Sequence, residues 1–322
     1  MVETSFSRLV GCRRPLQLAG MPGVVTPALA IAVAEEGALA MIPAAGLPPA
    51  VLGDTIAEVA SATRAPLGVN FLVPFLDREA LAVAASRVRV VEFFYGAPDP
   101  DVVGVAHRGG ALVSWQVGSA DEAAAAEAAG CDLVVAQGIE AGGHVRGGVG
   151  LFPLLASVLE RVKVPVVAAG GIGCARTMAA ALAAGASAAR VGTRFVASRE
   201  SAAHPGYVAA LVAAKAEDTV LTECFSFAWP DAPHRVLRSC VDAATALADE
   251  IAGHREVGGQ RLPIPRLAPP PPDRGTTGRV DAMALYAGHS VDSVRGIEPA
   301  ASIVRELCDG AAALLQAAGR SA

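Results

Sequence analysis

The sequence predicts an α/β fold, and the architecture that it favours is a (β/α)₈ TIM barrel followed by a smaller, mostly helical second part. Short apolar segments alternate with alanine-rich helical segments, and eight apolar segments occur before residue 192. Each is an almost continuous apolar run, which is typical of a parallel strand covered by helices on both faces. Eight such units favour a closed barrel over an open sheet.

The predicted strands are residues 15–19, 38–42, 67–72, 88–94, 111–117, 132–137, 165–169 and 188–191. Helices are predicted between them over residues 24–36, 51–63 and 119–129. The last of these starts with Ser119 three residues before Glu122, which is a capping pattern. The turn after the first strand, Gly20-Met21-Pro22-Gly23, does not fit the dinucleotide fingerprint that would favour an open sheet.

The pattern changes after residue 200. We predict a barrel domain over residues 1–200, to which a C-terminal helix returns within residues 285–322, and a mainly helical insertion over residues 201–284. Helices are expected over residues 201–216, 241–253 and 303–318. The proline-dense residues 261–275 (RLPIPRLAPPPPDRG) predict a loop or an extended polyproline segment, because proline interrupts helices and central strands.

Composition excludes several classes of protein. The 322 residues are 53% hydrophobic and 18% charged, so the chain is not globally disordered. The formal net charge of −5 and the lack of a Lys/Arg block argue against nucleic-acid binding. Mean hydropathy is +0.45, but the most apolar stretch, residues 37–53, is short and contains three prolines, so no membrane segment is predicted.

The location and assembly are expectations from the same composition. The first fourteen residues are polar and resemble no secretory signal. Six scattered cysteines without a CxxC pair indicate reduced thiols in a cytoplasmic protein, and no histidine has acidic companions at metal-ligand spacing, so no metal is predicted. The oligomeric state is left open, with a homodimer as one option.

The loop after the sixth strand holds His144 within a glycine-rich run, residues 137–148 (QGIEAGGHVRGG). Glycine permits close approach of the backbone to a ligand, and histidine titrates near physiological pH. This pattern indicates a base or hydrogen-bond donor, and it is equally typical of a histidine on a surface turn. Asn70, at the end of the third strand, can bond an amide edge, although a turn-capping role fits it as well.

Glycine turns also follow the seventh and eighth strands. Gly170 and Gly171 precede a predicted helix, whose N-terminus offers N–H groups to an anion. Gly192 and Thr193 follow the eighth strand. In TIM barrels these two loops form the usual phosphate site, so the pair predicts a phosphorylated cofactor, although tight turns alone would also need the glycines.

These segments together resemble the nitronate monooxygenase family, formerly called 2-nitropropane dioxygenases. Residues 66–70 (PLGVN), 137–144 (QGIEAGGH), 168–172 (AAGGI) and 185–195, which end in GTRF, resemble family motifs, as do residues 218–222 (DTVLT) and 286–295 (YAGHSVDSVR). The resemblance covers nearly the whole chain, and QGxEAGGH is its most specific part.

The resemblance implies a TIM barrel with non-covalent FMN. Asn70 and Gln137 would contact the flavin, Gly142 would pack near its ring, and His144 would lie over it as the catalytic residue. There His144 would abstract a proton from a nitroalkane or orient a nitronate, and O₂ would be reduced. The resemblance implies that these further residues bind the cofactor: Gly20, Met21, Gly170, Gly171, Arg190, Val191, Gly192 and Thr193.

The sequence departs from the family pattern at several substrate-facing positions. Gly20 stands where the family usually has methionine, and Trp115 and Gln116 stand where small threonines are common. Arg190, before the last phosphate turn, stands where glutamine is common, and its charge is expected to reinforce the phosphate site. Oxidation of alkyl nitronates is the first hypothesis, because Gln137 begins the QGxEAGGH motif as in the monooxygenases, whereas the related reductases more often have glutamate there. The alternatives are an FMN- and NAD(P)H-dependent enoyl-acyl-carrier-protein reductase, a quinone reductase, or a flavin-binding protein without turnover.

Overall fold

The barrel consists of eight parallel strands in the computed structural model, which describes residues 2–320. The strands are β1 (Leu16–Leu18), β2 (Ala40–Pro43), β3 (Leu67–Leu72), β4 (Val90–Phe94), β5 (Leu112–Val117), β6 (Leu133–Gln137), β8 (Val166–Ala169) and β9 (Ala188–Val191). Strand β7 (Gly143–His144) lies outside the barrel. Hydrogen bonds join the strands in the order β1-β9-β8-β6-β5-β4-β3-β2, and a bridge from Gln17 to Leu39 closes the ring. The predicted TIM barrel is confirmed.

Helices follow the strands on the outside of the barrel. They are α2 (Pro27–Glu35), α3 (Pro49–Ala62), α4 (Arg78–Ala85), α5 (Pro100–Arg108), α6 (Ala120–Ala128), α7 (Leu151–Arg161), α8 (Ala175–Ala183) and the short α9 (Thr193–Val196). Several begin at a capping side chain, because Thr26, Asp77, Asp99 and Ser119 each accept a hydrogen bond from the first turn of the following helix. These caps fix where each strand-to-helix loop ends.

A short N-terminal helix, α1 (Ser5–Val10), packs against the bottom of the barrel interior. Its Phe6 and Val10 are buried in one apolar cluster with residues from inside the strands, such as Met41, Val90 and Val135. The N-terminal half of the barrel is therefore filled with apolar side chains. Polar side chains enter the interior only above this layer, toward the C-terminal ends of the strands.

Residues 201–284 differ from the prediction. They contain two α-helices, α10 (Pro205–Ala213) and α11 (Arg238–Ala246), and also five strands: β10 (Thr219–Thr222), β11 (His234–Leu237), β12 (Ile251–Val257), β13 (Gln260–Pro265) and β14 (Thr276–Gly278). The expectation of a mostly helical part is wrong, because strands account for as much of it as helices. Strand β11 pairs with β7, so this part extends the loop that carries His144.

Short 3₁₀ helices complete the chain together with one long helix. The 3₁₀ helices are Val73–Phe75, Ala216–Asp218, Val280–Ala282 and His289–Ser293, and the last helix is α12 (Ala300–Arg320). Helix α12 packs against α8 and α2, so the chain returns to the barrel as predicted. Within residues 2–320, no helix combines the length and the apolar character that crossing a bilayer requires.

The proline-rich segment begins as strand β13 and continues as an extended loop over the barrel mouth. Proline has no N–H, so this loop cannot form the regular hydrogen bonds of a strand or helix. Donors from other parts of the chain bond its carbonyl groups instead. Tyr286 Oη donates to the carbonyl of Pro269 (2.6 Å), and the Arg255 guanidinium donates to that of Pro271 (2.5 Å). The Phe227 N–H donates to the carbonyl of Leu267 (3.1 Å). The segment is thus fixed as a wall over the barrel.

Candidate active site

A cavity of about 600 Å³ opens at the C-terminal ends of the barrel strands. This size suits a cofactor or small-molecule site, and the location is where TIM barrels place their chemistry. Eleven of the twelve residues that the sequence singles out line it: Gly20, Met21, Asn70, Gln137, Gly142, His144, Gly170, Gly171, Arg190, Gly192 and Thr193. The twelfth, Val191, has its side chain in the hydrophobic core and can offer only backbone.

The floor of the cavity is a polar network centred on Glu92, which is completely buried on β4. Its carboxylate accepts hydrogen bonds from Gln17 Nε2 and Asn70 Nδ2, both at 2.9 Å, and from the Arg190 guanidinium at 2.5 Å. The same nitrogen of Arg190 donates to Gln116 Oε1 (2.7 Å). The Arg190 guanidinium therefore neutralises the buried carboxylate, and the two amide donors satisfy its remaining hydrogen bonds, as a buried charge requires.

This network corrects the expected placement of Arg190. The sequence suggests that its charge reinforces a phosphate site, but the guanidinium points into the barrel and pairs with Glu92. The network also fixes the amide of Asn70, since its nitrogen faces Glu92. Glu92 and Gln17 were missed in the sequence. The signal for Glu92 is a charged residue within the apolar run of β4 (VVEFF), which indicates a charge inside the barrel.

Two buried polar atoms at the cavity have no hydrogen-bond partner among the residues described. They are Gln137 Oε1 and His144 Nε2. The Gln137 amide is held in place through its nitrogen, because Nε2 donates to the His144 backbone carbonyl (3.0 Å). Buried polar groups are normally paired, so two unpaired atoms on residues that line one cavity indicate groups that bind a ligand.

Burial, together with a smaller effect of the nearby His234, lowers the pKa of His144 to about 3. The imidazole is therefore neutral at physiological pH. Its ring stacks on Trp229, with the ring centroids 3.9 Å apart and an angle of 23° between the planes. Tyr95 meets the His144 ring edge to face at 5.7 Å. These rings hold the imidazole in place.

Trp229 and Tyr95 were not predicted as site residues. Trp229 lies in the loop between β10 and β11, where the sequence favours a packing role, yet it borders the cavity beside His144. Tyr95 directly follows β4 and adopts a positive φ of 68°, which is uncommon for a non-glycine residue. Burial raises the pKa of Tyr95 to about 12, so its phenol stays protonated. Trp229 has no local sequence signal, because its contact with His144 joins separate loops, whereas Tyr95 stands at the end of β4 and before Gly96.

The glycines of the His144 loop are needed for packing against the end of the chain. A Cβ on Gly142 would lie 2.5 Å from the backbone nitrogen of Gly288, and a Cβ on Gly288 would lie 2.7 Å from the Glu140 carbonyl oxygen. The Gly288 N–H donates to Thr193 Oγ1 (3.1 Å). The segment at residues 286–289 therefore packs against the loop after β6 through Gly142 and is bonded to the loop after β9 through Thr193.

The turn after β8 is a glycine cradle. Gly170 and Gly171 have φ values of +102° and +69°, a region that favours glycine. A Cβ on Gly170 would lie 3.0 Å from the Gly138 carbonyl oxygen, whereas one on Gly171 would make ordinary contact with the Glu140 side chain, at 3.4 Å from its Cβ and 3.7 Å from its Cγ. At the start of α8, Thr177 Oγ1 accepts the N–H groups of Gly173 and Cys174. An anion would therefore be bound nearer Gly171 than at the first turn of this helix.

Gly20 has a packing reason for departing from the family pattern. A Cβ there would lie 2.7 Å from Asn70 Cβ, so a larger residue would displace the asparagine that bonds Glu92. The cavity thus combines glycine turns, which suit an anionic group, with the unpaired polar atoms of Gln137 and His144, which suit a polar ring system. Within residues 2–320 no cluster of metal-ligating side chains occurs.

The chain matches the family model described as nitronate monooxygenase over residues 3–82 and 75–310. A nitronate monooxygenase of Paraburkholderia phytofirmans is 30% identical over 93% of this chain and 92% of its own length. One from Pseudomonas aeruginosa is 36% identical over 69% of this chain and 77% of its own. A (3aS,4S,5R,7aS)-5-hydroxy-7a-methyl-1-oxo-octahydro-1H-indene-4-carboxyl-CoA dehydrogenase of Rhodococcus jostii is 34% identical over 74% of this chain and 66% of its own.

Solved structures agree with the family match. FabK from Thermotoga maritima superposes with a TM-score of 0.83 at 30% identity, over 100% of both chains. A nitroalkane oxidase from Streptomyces ansochromogenes has a TM-score of 0.80 at 30% identity, over 98% of this chain and 100% of its own. On the family match, the cavity and these relatives, the chain belongs to the nitronate monooxygenase family of flavin-dependent oxidoreductases.

Proposed function

We propose that this protein is an FMN-dependent enzyme that oxidises alkyl nitronates with O₂ to a carbonyl compound and nitrite. The observation that carries the proposal is the pair of unpartnered atoms, Gln137 Oε1 and His144 Nε2, in a cavity that also contains the glycine turns. The family membership and the relatives named nitronate monooxygenase support it.

The cofactor proposed is FMN. The turns at Gly170–Gly171 and Gly192–Thr193 would hold its phosphate, because both border the cavity and a Cβ on Gly171 would make only ordinary contact with Glu140. Gln137 Oε1 and the Asn70 carboxamide would face the ring, and Gly20 and Met21 would line the opposite wall. When bound, the flavin supplies the electron transfer between substrate and O₂ that no side chain can perform.

His144 would bind and orient a nitronate that is already formed. It would not form the nitronate by removing a proton from a nitroalkane. Its pKa of about 3 makes it a weak base at neutral pH, so abstraction of a proton from a neutral nitroalkane is unfavourable. A neutral imidazole can still donate from Nε2 to an oxygen of a substrate that arrives as an anion. The anion would in turn raise the pKa of His144 by its negative charge. The substrate would therefore be the nitronate itself.

The aromatic neighbours of His144 would strengthen its hydrogen bond to the substrate. Trp229 covers one face of the ring and Tyr95 meets its edge, so water is kept from the bond between imidazole and substrate. A hydrogen bond in a dry site is stronger than in water. Gln137 also fixes the loop, since it donates to the His144 carbonyl.

The test is to measure nitrite release and O₂ consumption by the FMN-loaded protein with butyl-1-nitronate. We expect turnover with the nitronate and little with neutral 1-nitrobutane. His144→Ala should keep FMN and lose about tenfold to 100-fold in kcat/KM, because one hydrogen bond to a charged group is worth about 1.5–3 kcal/mol. Loss of FMN in this variant would contradict the assigned role.

A reductase remains the competing function, because FabK shares the whole fold at 30% identity. Anaerobic mixing with NADPH separates the two. Bleaching of the flavin spectrum by NADPH, with no nitrite from any nitronate, would replace the proposal by a reductase. A spectrum that neither reagent changes would indicate a flavin-binding protein without this chemistry.

A further inference from the structure

Three aromatic side chains surround the opening of the cavity, and we call them the aromatic rim: Phe75, Phe227 and Trp229. All three line the cavity, yet Phe75 is 51% exposed and Phe227 is 55% exposed. Phe75 meets Trp229 edge to face, with ring centroids 4.9 Å apart. Large exposed apolar side chains that converge on one opening indicate a surface that a ligand covers.

The rim is held in place by its neighbours. Trp229 stacks on His144, and the Phe227 N–H is bonded to the carbonyl of Leu267 in the proline-rich segment. That segment adds the apolar side chains of Pro269, Pro270 and Pro271 to the same wall. The rim therefore forms one apolar surface that starts beside His144 and leads out of the cavity.

Charge is scarce along this path. Among the described residues that line the cavity, Arg190 is the one charged side chain, and it pairs with Glu92 in the floor. A charged group on the far end of a substrate would thus leave water for an apolar surface, which is unfavourable. An apolar group would instead gain free energy by covering the rings.

We infer that the substrate carries an uncharged, apolar tail, alkyl or aryl, that leaves the cavity across the aromatic rim. The inference rests on the proposed function for the identity of the head group, a nitronate near His144. It makes Phe75, Phe227 and Trp229 specificity-determining residues. Short nitronates, and nitronates with a charged tail such as propionate 3-nitronate, would be poor substrates.

The test is a series of 1-nitronates of ethane, butane and hexane, with phenylmethane nitronate and propionate 3-nitronate, measured on the FMN-loaded enzyme. We expect KM to fall about fourfold for each methylene that reaches the rim, which corresponds to about 0.8 kcal/mol. Propionate 3-nitronate should have a KM at least tenfold above that of butyl-1-nitronate. The corresponding carboxylates, planar anions that cannot react, give Kd values by the change in flavin absorbance.

The double variant Phe75→Ser, Phe227→Ser should remove most of the dependence on chain length. Phe152→Ser is the matched control, since Phe152 is a 49% exposed phenylalanine on α7 outside the cavity lining, and it should keep the full dependence.

Each outcome separates this inference from the proposed function. Nitrite release with a KM independent of chain length, or equal KM values for propionate 3-nitronate and butyl-1-nitronate, would overturn the apolar tail and leave nitronate oxidation intact. Carboxylates whose Kd falls with chain length, without nitrite from any nitronate, would support the apolar tail and overturn the proposed reaction.

Discussion

The floor of the cavity holds its polar side chains on barrel strands, whereas the aromatic rim holds its rings beyond the strand ends. Phe75 lies in the 3₁₀ helix that follows β3, and Phe227 and Trp229 lie in the loop between β10 and β11. In the floor, Glu92 is completely buried and its carboxylate accepts three donors. In the rim, Phe75 and Phe227 are more than half exposed. The same cavity is thus polar and rigid at one end and apolar and accessible at the other.

The two ends of the cavity therefore contribute different properties to the site. Paired charges inside a barrel cannot change partners without a large loss of stability, so the floor gives a fixed electrostatic environment. Rings on loops pack without directional bonds, and loops tolerate substitution better than strands. We therefore expect floor variants to change stability, and rim variants to change specificity and local pKa values.

The largest effect should come from breaking the floor. Glu92→Gln leaves the Arg190 guanidinium buried without an opposite charge, and such a change costs about 3–5 kcal/mol in the free energy of unfolding. Urea denaturation at a fixed FMN concentration measures it. Ser114→Ala is the control, because Ser114 is buried on the neighbouring strand and its hydroxyl has no partner among the described residues.

Equal losses of unfolding free energy in Glu92→Gln and Ser114→Ala would show that breaking the ion pair costs no more than removing an unpaired buried hydroxyl. The double variant Glu92→Gln, Arg190→Met removes both charges and should recover part of the loss, since an apolar replacement of a buried pair is often neutral. Failure of the double variant to recover would indicate that the hydrogen-bond geometry matters more than the charge.

A smaller effect should follow from filling the glycine cradle. Gly171→Leu places a side chain where the FMN phosphate is proposed to lie, so FMN affinity should fall at least tenfold, or about 1.4 kcal/mol. Titration of FMN fluorescence measures it. Gly110→Leu is the matched control, because Gly110 has a φ of +94°, nothing lies within 4 Å of its Cβ position, and it is outside the cavity lining. Equal FMN affinities in the two variants would contradict the phosphate site.

The smallest change in the free energy of unfolding should come from removing the Trp229 ring from the aromatic rim. The pKa of His144 is about 3 in the folded protein and 6.5 in an unfolded chain, so the unfolded state binds more protons between these pH values. Stability due to the neutral ring is therefore complete above pH 6.5 and is lost as pH falls toward 3. Trp229→Ala hydrates the ring, so its pKa should rise and this loss at acid pH should become smaller.

Titration of the His144 ring by NMR, together with unfolding at pH 7 and pH 5, checks this expectation. Trp229→Phe retains a stacked ring and should keep the low pKa. His234 also has a pKa lowered by burial and acts in the same direction, so the comparison is between variants. An unchanged pKa in Trp229→Ala would mean that other neighbours exclude the water.

The barrel was predictable because its strands are local signals. Each apolar run stands between turns, and every predicted strand lies within two residues of the observed one. The hairpin of β12 and β13 was missed, since residues 241–253 were read as helix and residues 261–275 as a loop. Gly258 and Gly259, which have φ values of +57° and +78°, form the turn, and a Gly-Gly pair is a hairpin signal.

The site was predictable only where a residue borders a glycine turn or ends a strand. His144, Gln137 and Asn70 have this signal, and the structure brings them to one cavity. Trp229 lacks it, because its contact with His144 joins loops that are distant in sequence. The pairing of Arg190 with Glu92 also depends on which side chains face each other across the barrel, which spacing along one strand does not reveal. The cytoplasmic location and the assembly stay predictions.

The packing of Gly142 against Gly288 has a consequence for biosynthesis. The loop that carries His144 packs against a segment near residue 288, and the His289 N–H donates to the Glu140 carbonyl of that loop. Chains emerge from the ribosome N-terminus first, at about 5–20 residues per second, so all eight barrel strands are available before that segment is made. We expect a nascent chain that ends before residue 288 to form barrel structure without a competent site, and the site to be completed among the last events of folding.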